Sequence, residues 1–302
     1  MIIDVSFKQT GFKKESSLMT KYAITAATGN LGQAAVKELN KLVGADNVVV
    51  IARNEEKAAK LFPNNEVRRG DYEDVESMNA ALKGIDRVLF ISSQPGGKIG
   101  RAEEHQNVIN AMKNNSVKFV AYTSFPDAQN STTPLAEDHR ITENAIKAAG
   151  IEHSFLRDNW YLENEIGFLQ SGSANQPVLY WANNHAGWAL EREYAEAAAK
   201  IVANDNPQEV YELAGKARTY DDLGHALQKA TGNDFEIKQV SEDDYIAALE
   251  KTGLDHDTAA LFASFQSPID TGALDENSDD LEKALGHELT PIEDAIKEIL
   301  AR

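Results

Sequence analysis

The sequence predicts an α/β protein built on a doubly wound parallel sheet, and three observations carry that expectation. Short apolar runs alternate with amphipathic helical segments from residue 22 to residue 157. The run at 47–52 is apolar on both faces, as a strand covered by helices on both sides must be. A glycine-containing loop at 25–32 joins the first strand directly to the first helix. Alternation of this kind implies right-handed crossovers and helices on both faces of one sheet.

Each element has its own reason. Residues 22–25 read as a short apolar strand, and 33–43 as a helix with Val36, Leu39 and Val43 on one face. The buried-type strand at 47–52 is followed by a helix at 56–61 and a weaker strand at 67–70. A helix at 74–82 opens with Asp74 as its N-cap. Strands at 87–93, 118–124 and 153–157 are separated by helices at 102–114 and 137–149. After Arg157 the rhythm loosens: helix 160–169, strand 178–181, an Ala-rich helix 191–203, strand 210–214, helix 220–231 and strand 235–240. Ser241 before Asp244 and Thr290 before Glu293 read as caps of two further helices. This half is expected to form a smaller α/β lobe over the carboxyl edge of the sheet.

Composition removes several classes of function. The longest apolar stretches, 48–52 and 88–91, are of strand length, far short of the roughly 18 residues a membrane helix needs, so no membrane insertion is expected. A net charge of −18 repels phosphate backbones and argues against a nucleic-acid partner. The chain has no cysteine, which excludes disulfides, thiol nucleophiles and zinc thiolates and fits a cytoplasmic location. The seven histidines are scattered, so no metal site is expected. Residues 1–18 carry three lysines against two acids and lack a signal peptide's apolar core. They read as a disordered extension, with a docked strand at 2–7 as the alternative.

The loop Thr25-Ala26-Ala27-Thr28-Gly29-Asn30-Leu31-Gly32 carries the chemistry. Backbone N–H groups at a helix N-terminus bear partial positive charge, so a pyrophosphate settles there. Gly29 lets the backbone approach the phosphates, and Gly32 lets helix and strand pack closely. Ala26 stands where such loops usually carry their first glycine. Because alanine disfavours positive φ, this turn is expected to adopt an ordinary conformation. The second strand ends in Arg53, with Lys57 one turn on, where an enzyme of NAD would place an acid. A guanidinium fork there suits a 2′-phosphate, so NADPH is favoured and NADH is kept as a possibility; a plain surface arginine is the alternative. Asp71 ends the third strand, where adenine would lie, or is an ordinary loop acid. Ser92, Ser93 and Gln94 end the fourth, after Ile91, beside the expected nicotinamide ribose.

The loop 25–32, Ala52-Arg53-Asn54, Gly70-Asp71-Tyr72, Ile91-Ser92-Ser93, the segments 118–124, 156–164 and 210–215, and Thr271-Gly272-Ala273-Leu274 together show a likeness. From Met19 to the C-terminal helix the chain resembles the NmrA-like atypical short-chain dehydrogenases of the bacterial NAD(P)H:quinone oxidoreductase type. The resemblance implies a Rossmann domain with NADPH at residues 19–158, a smaller substrate lobe at 159–302 that lends strands to the main sheet, and quinone reduction. Ala26 departs from the family's glycine, which bears on affinity and not on fold. In related reductases a lysine opens the helix before the sixth strand, and by position His139 holds that place here.

None of the nine tyrosines has a lysine four residues later, so the usual alcohol–ketone route of this superfamily is not expected. His139 is read as proton donor to a quinone oxygen or as a partner of the nicotinamide ribose; a histidine satisfied by Glu143 is the alternative. Tyr122, Ser124 and Phe125 end the fifth strand and are expected to line the nicotinamide pocket, with Tyr122 and His139 as catalytic candidates. Quinone reduction needs chiefly orientation of a flat acceptor against the nicotinamide. Asn159, Trp160, Tyr161 and Asn164 stand beyond the sixth strand at the right edge for such a pocket, although Trp160 and Tyr161 also suit an inter-lobe core. The expected partner is thus a small-molecule quinone, and a homodimer is left open. Two other readings stay open: a redox sensor that binds NADP(H) without turnover, and a reductase of another small electrophile.

Overall fold

Two apolar faces on one strand require two layers of helix, and the computed structural model, which describes residues 19–302, shows both. The readings made for residues 1–18 lie outside the described residues. The strands are β1 (Tyr22–Ile24), β2 (Val48–Ala52), β3 (Glu66–Arg69), β4 (Arg87–Phe90), β5 (Phe119–Ser124), β6 (Glu152–Asp158), β7 (Val178–Tyr180), β8 (Val210–Leu213) and β9 (Ile237–Gln239). Seven of them form one parallel sheet in the order β3-β2-β1-β4-β5-β6-β8, while β7 and β9 pair in a small parallel sheet.

The first helices are α1 (Asn30–Val43), α2 (Glu55–Leu61), α3 (Val75–Ala81), α4 (Arg101–Asn114), α5 (Pro134–Ala149), α6 (Ile166–Ser173) and α7 (Glu191–Ala203). They are followed by α8 (Tyr220–Thr231), α9 (Glu242–Glu250), α10 (His256–Ser264), α11 (Ser267–Asp270), α12 (Asp280–Leu285) and α13 (Ile292–Leu300). β2 shows how the sequence dictates the layering. Val48, Val50 and Ala52 join one core, with Val36 and Leu39 of α1 and Ala198 of α7. Val49 and Ile51 join the other, with Met78 of α3, Val108 and Met112 of α4 and Ile146 of α5. Each such buried aliphatic side chain contributes about 1.5–3 kcal/mol relative to exposure. A third core, around Trp188, Tyr220, Leu223 and Ile296, holds the small sheet with α6, α8 and α13.

Two local expectations are overturned. The helix expected at 160–169 does not start at Trp160: Tyr161 is extended (φ −71°, ψ 132°), Leu162–Glu165 is a 3₁₀ turn, and α6 begins at Ile166. The cause is Asn159, whose Oδ1 accepts the N–H groups of Trp160 (3.0 Å) and Gly187 (2.9 Å) and whose amide donates to Leu274 O (3.1 Å). Those bonds hold the chain out of helical geometry. Ser241 does cap α9, accepting the Asp244 N–H at 3.1 Å, but Thr290 does not cap α13, whose N-cap is Pro291. The Thr290 hydroxyl accepts from Arg192 (2.8 Å) instead.

Candidate cofactor-binding site

Strand order reverses between β1 and β4, and a crevice opens there at the carboxyl ends of the strands. The loop after β1 builds its floor. Thr25 is buried and ties the two strand tips together: its Oγ1 accepts the Ile91 N–H (3.1 Å), and the Tyr72 hydroxyl, which donates to Ile91 O (2.7 Å), lies on it. Ala26 turns the chain at φ +49°, the left-handed region. The expectation of an ordinary conformation was wrong, because the Gly29 N–H must reach Ala26 O (3.1 Å) to close the turn. Ala27 is buried, its N–H spent on Ile51 O (3.2 Å). At Gly32 a Cβ would stand 2.6 Å from Ala26 O and 2.7 Å from Ala27 Cα, so only glycine fits. The first backbone bond into α1 is made by the Gln33 N–H, to Gly29 O (2.9 Å). The N–H groups of Asn30, Leu31 and Gly32 therefore stay free of backbone partners, as an anion cradle requires.

Above this loop lies a cavity of about 770 Å³. Its wall includes Thr28, Gly29, Asn30, Leu31, Gly32, Arg53, Asp71, Ile91, Ser92, Ser93, Gln94 and Tyr161 of the residues expected from sequence. It also includes Lys57, Tyr72, Glu104, Thr123 and Glu191. Arg53 is exposed at the end of β2 and Lys57 stands one turn on, so the far end of the cavity is cationic. Thr123 orders the β4 tip: its Oγ1 accepts the Ser92 N–H at 2.8 Å.

The remaining expected residues do not line this cavity. Ser124 donates to Glu143 Oε1 (2.7 Å), and Glu143 is bound by Arg157 as well (3.0 and 2.9 Å). Asn159 is spent on backbone groups, Trp160 donates to Glu165 (3.1 Å), and Asn164 is exposed. Phe125 is buried against His139. His139 itself is buried, with Nδ1 on the Tyr122 hydroxyl (2.9 Å) and not on Glu143. The Tyr122 hydroxyl lies 3.4 Å from His105 Nδ1. His105 Nε2 accepts the Ser93 N–H (3.0 Å), so its Nδ1 carries the proton and donates to Thr142 Oγ1 (2.8 Å). Burial pushes His105 down to about 3 and His139 well below the usual histidine range, so both rings are neutral at physiological pH. The network reaches the cavity only at Ser93. A charged His139 acting as proton donor is a reading this burial does not support.

Sequence reasoning singles out Asp71 but not two other acids of the wall, Glu104 and Glu191. Glu104 is buried and its Oε2 has no hydrogen-bond partner. A carboxylate on the stripe of α4 that buries His105, Val108 and Met112 was the available signal. Glu191, the first residue of α7, meets Asn30 and Leu31 of α1 on the wall of the cavity, and burial with Glu163 nearby raises its pKa. Only the non-local approach of α7 to α1 creates that contact, so no local pattern announces it. Asp158, at the end of β6, accepts the Tyr161 hydroxyl (2.8 Å), and burial pushes it up to about 7.

A doubly wound sheet whose switch point opens onto a free helix N-terminus and a cationic strand end defines a dinucleotide-binding protein. Residues 26–180 match the family described as NAD(P)H-binding. Over 281 residues the chain is 36% identical to quinone oxidoreductase 2 of Escherichia coli strain K12, covering 92% of this chain and 98% of that one. Two solved structures superpose closely. NADPH-dependent quinone oxidoreductase of Escherichia coli complexed with NADPH gives a TM-score of 0.85 at 35% identity, covering 92% and 99% of the two chains. Triphenylmethane reductase of Citrobacter sp. complexed with NADP(H) gives 0.86 at 30% identity, with the same coverage. The chain belongs to the NAD(P)H-binding, NmrA-like family.

Proposed function

We propose that this protein is an NADPH-dependent oxidoreductase that reduces quinones by hydride transfer. The observation that carries the reading is the full-length likeness to the Escherichia coli quinone oxidoreductase, which spans both the nucleotide loop and the C-terminal lobe. The cradle fits the cofactor on its own terms: three free N–H groups, a glycine whose Cβ would strike backbone, and Arg53 with Lys57 at the far end. When bound, the nicotinamide supplies the hydride.

In this reading the N–H groups of Asn30, Leu31 and Gly32 hold the pyrophosphate, and Arg53 grips the 2′-phosphate with its planar fork. Asp71 and Tyr72 border the adenosine end, while Ser92, Ser93 and Thr123 border the nicotinamide ribose. His105, Tyr122 and His139 position Ser93 from beneath. Tyr161 and Gln94 stand at the acceptor side. Residues 19–158 form the nucleotide-binding part and 159–302 the substrate lobe. No helix among the described residues is long and apolar enough to cross a membrane. We assign the protein to the cytoplasm on its cysteine-free sequence, which fits a reducing compartment.

The test follows loss of nicotinamide absorbance when purified protein meets NADPH and a naphthoquinone, with NADH in parallel. Oxidation of NADPH is expected. Arg53→Ala should weaken NADPH by about ten- to a hundredfold, the value of a charge-assisted contact, and leave NADH unchanged. The likeness to the triphenylmethane reductase favours a second reading, in which a cationic dye accepts the hydride. Consumption of such a dye with no quinone turnover would favour it. Tight NADPH binding with neither acceptor consumed would leave the sensor.

A further inference from the structure

Outside the cofactor crevice a second cavity of about 770 Å³ opens beyond the end of β8. It lies between the chain entering α7, the loop after β8, the turn into α12 and the first turn of α13, and its wall shares no residue with the crevice. We propose that this cavity is a binding site for a small apolar carboxylate, a ligand distinct from both the cofactor and the quinone.

The wall has two chemically different parts. Ala189, Ala214, Leu289, Pro291 and Ile292 make it apolar on one side. Its back is fixed by close backbone packing: the Gly215 N–H donates to Gly187 O (2.9 Å), and a Cβ at Gly187 would stand 2.8 Å from Gly215 O. Lys216 and Arg218 give the other side its charge. Arg218 Nη1 donates to Lys216 O (3.0 Å), which holds the guanidinium and leaves its other N–H groups open. Among the described residues neither cation has a carboxylate partner, on a chain with 48 acids against 30 lysines and arginines. The cations around them are matched: Arg192 to Glu298 (2.8 Å), Lys283 to Asp279 (2.5 Å) and Lys200 to Glu196 (2.7 Å). The acids of the wall are engaged within the protein as well. Glu193 accepts the N–H groups of Thr290 (2.7 Å) and Leu190 (3.1 Å), and Glu282 accepts that of Leu289 (3.2 Å). Asp222, at the start of α8, accepts the Thr219 N–H and hydroxyl (both 2.9 Å). What complements two open cations beside an apolar wall is one carboxylate on a hydrocarbon body. A multiply charged anion is opposed by the wall's acids and by the net charge of −18, and a neutral quinone gives the cations nothing. The volume is that of an ordinary small-molecule site. Backbone separates it from the crevice: the Leu162 N–H donates to Ala189 O (2.9 Å), with Tyr161 on the crevice side and Ala189 on the other.

Calorimetric titration of naphthoate into the wild type, Arg218→Gln and Lys216→Glu tests the site. Naphthylmethanol serves as the neutral isostere, inorganic phosphate as the bare anion, and NADPH is titrated in parallel. The wild type should bind naphthoate equally with and without saturating NADPH, and bind the alcohol and phosphate at least about tenfold more weakly. Arg218→Gln should weaken naphthoate about tenfold, the value of one charge-assisted contact, and leave NADPH unchanged. Lys216→Glu, a reversal of charge at an exposed position, should do the same and carries the test should Arg218→Gln fail to fold. No binding of naphthoate to the wild type, equal binding of the alcohol, or unchanged affinity in the charge variants would overturn the proposal. So would displacement of naphthoate by NADPH, which would put the anion in the crevice.

Discussion

At position 26 a methyl group stands in a backbone conformation that glycine adopts without strain. An L-residue held at φ +49° costs about 1–2 kcal/mol. Ala26→Gly should therefore stabilise the protein by about 0.5–1 kcal/mol, the gain being reduced by the looser unfolded chain. The check is the urea midpoint at unchanged slope, and a glycine variant no more stable than wild type would show that the turn is not strained. Gly32 is the converse. A Cβ there strikes backbone atoms at 2.6 and 2.7 Å, so Gly32→Ala must separate α1 from its loop, with loss of NADPH binding in the same titration. The sequence distinguishes these two positions only in part. Gly32 is legible because close packing at that spacing demands glycine. The strain at Ala26 is not, because a residue name does not say which dihedral the surrounding strands impose.

At the scale of elements, β6 is bound to α5 and β8 through one buried cation. Arg157 donates to both oxygens of Glu143 and to Glu212 Oε1 (2.6 Å). Burial pushes the Glu143 carboxyl up, yet bonds from Arg157, Gln129 and Ser124 hold it below the usual range. Arg157→Ala would leave a fully buried carboxylate with no counter-ion, a change worth about 3–5 kcal/mol of lost stability. Denaturant unfolding measures it. Restoration of most of the loss by adding Glu143→Gln would identify the stranded charge as the cause. Elements governed by their own periodicity were legible: β2, α1, α7 and α8 lie close to where apolar spacing and caps put them. Those governed by distant partners were not. The segment at 160–165 is extended or 3₁₀ because Asn159 is held by Leu274 and Gly187, and Thr290 is drawn from its cap by Arg192. The helices α10 and α11 are short and carry little apolar periodicity, so no local pattern marks them.

For the whole molecule the governing quantity is negative charge. With a net charge of −18, the folded chain repels itself at neutral pH, and buried acids add to this. Asp158 and Glu165 are both pushed up to about 7 by burial, Glu165 despite bonds from Tyr220, Trp188 and Trp160. An acid whose pKa is higher folded than unfolded keeps its proton in the folded state while the unfolded chain has already lost it. Between about pH 4 and pH 7 the folded state then binds more protons, so stability falls as pH rises through that window and levels off above it. The depressed carboxyls, Glu143, Glu196 and Glu298, act in the opposite sense and withdraw stability only as pH drops through the ordinary carboxylate range and below. Opposed slopes place the maximum at about pH 5–6, more acidic than cytoplasmic pH. Thermal unfolding followed across pH should show that maximum, and Asp158→Asn with Glu165→Gln should flatten its alkaline side. Added salt should raise Tm at about pH 8 by screening the surface. A melting profile that climbs steadily to pH 8 in the wild type would mean that these two carboxyls are ionised in the folded protein.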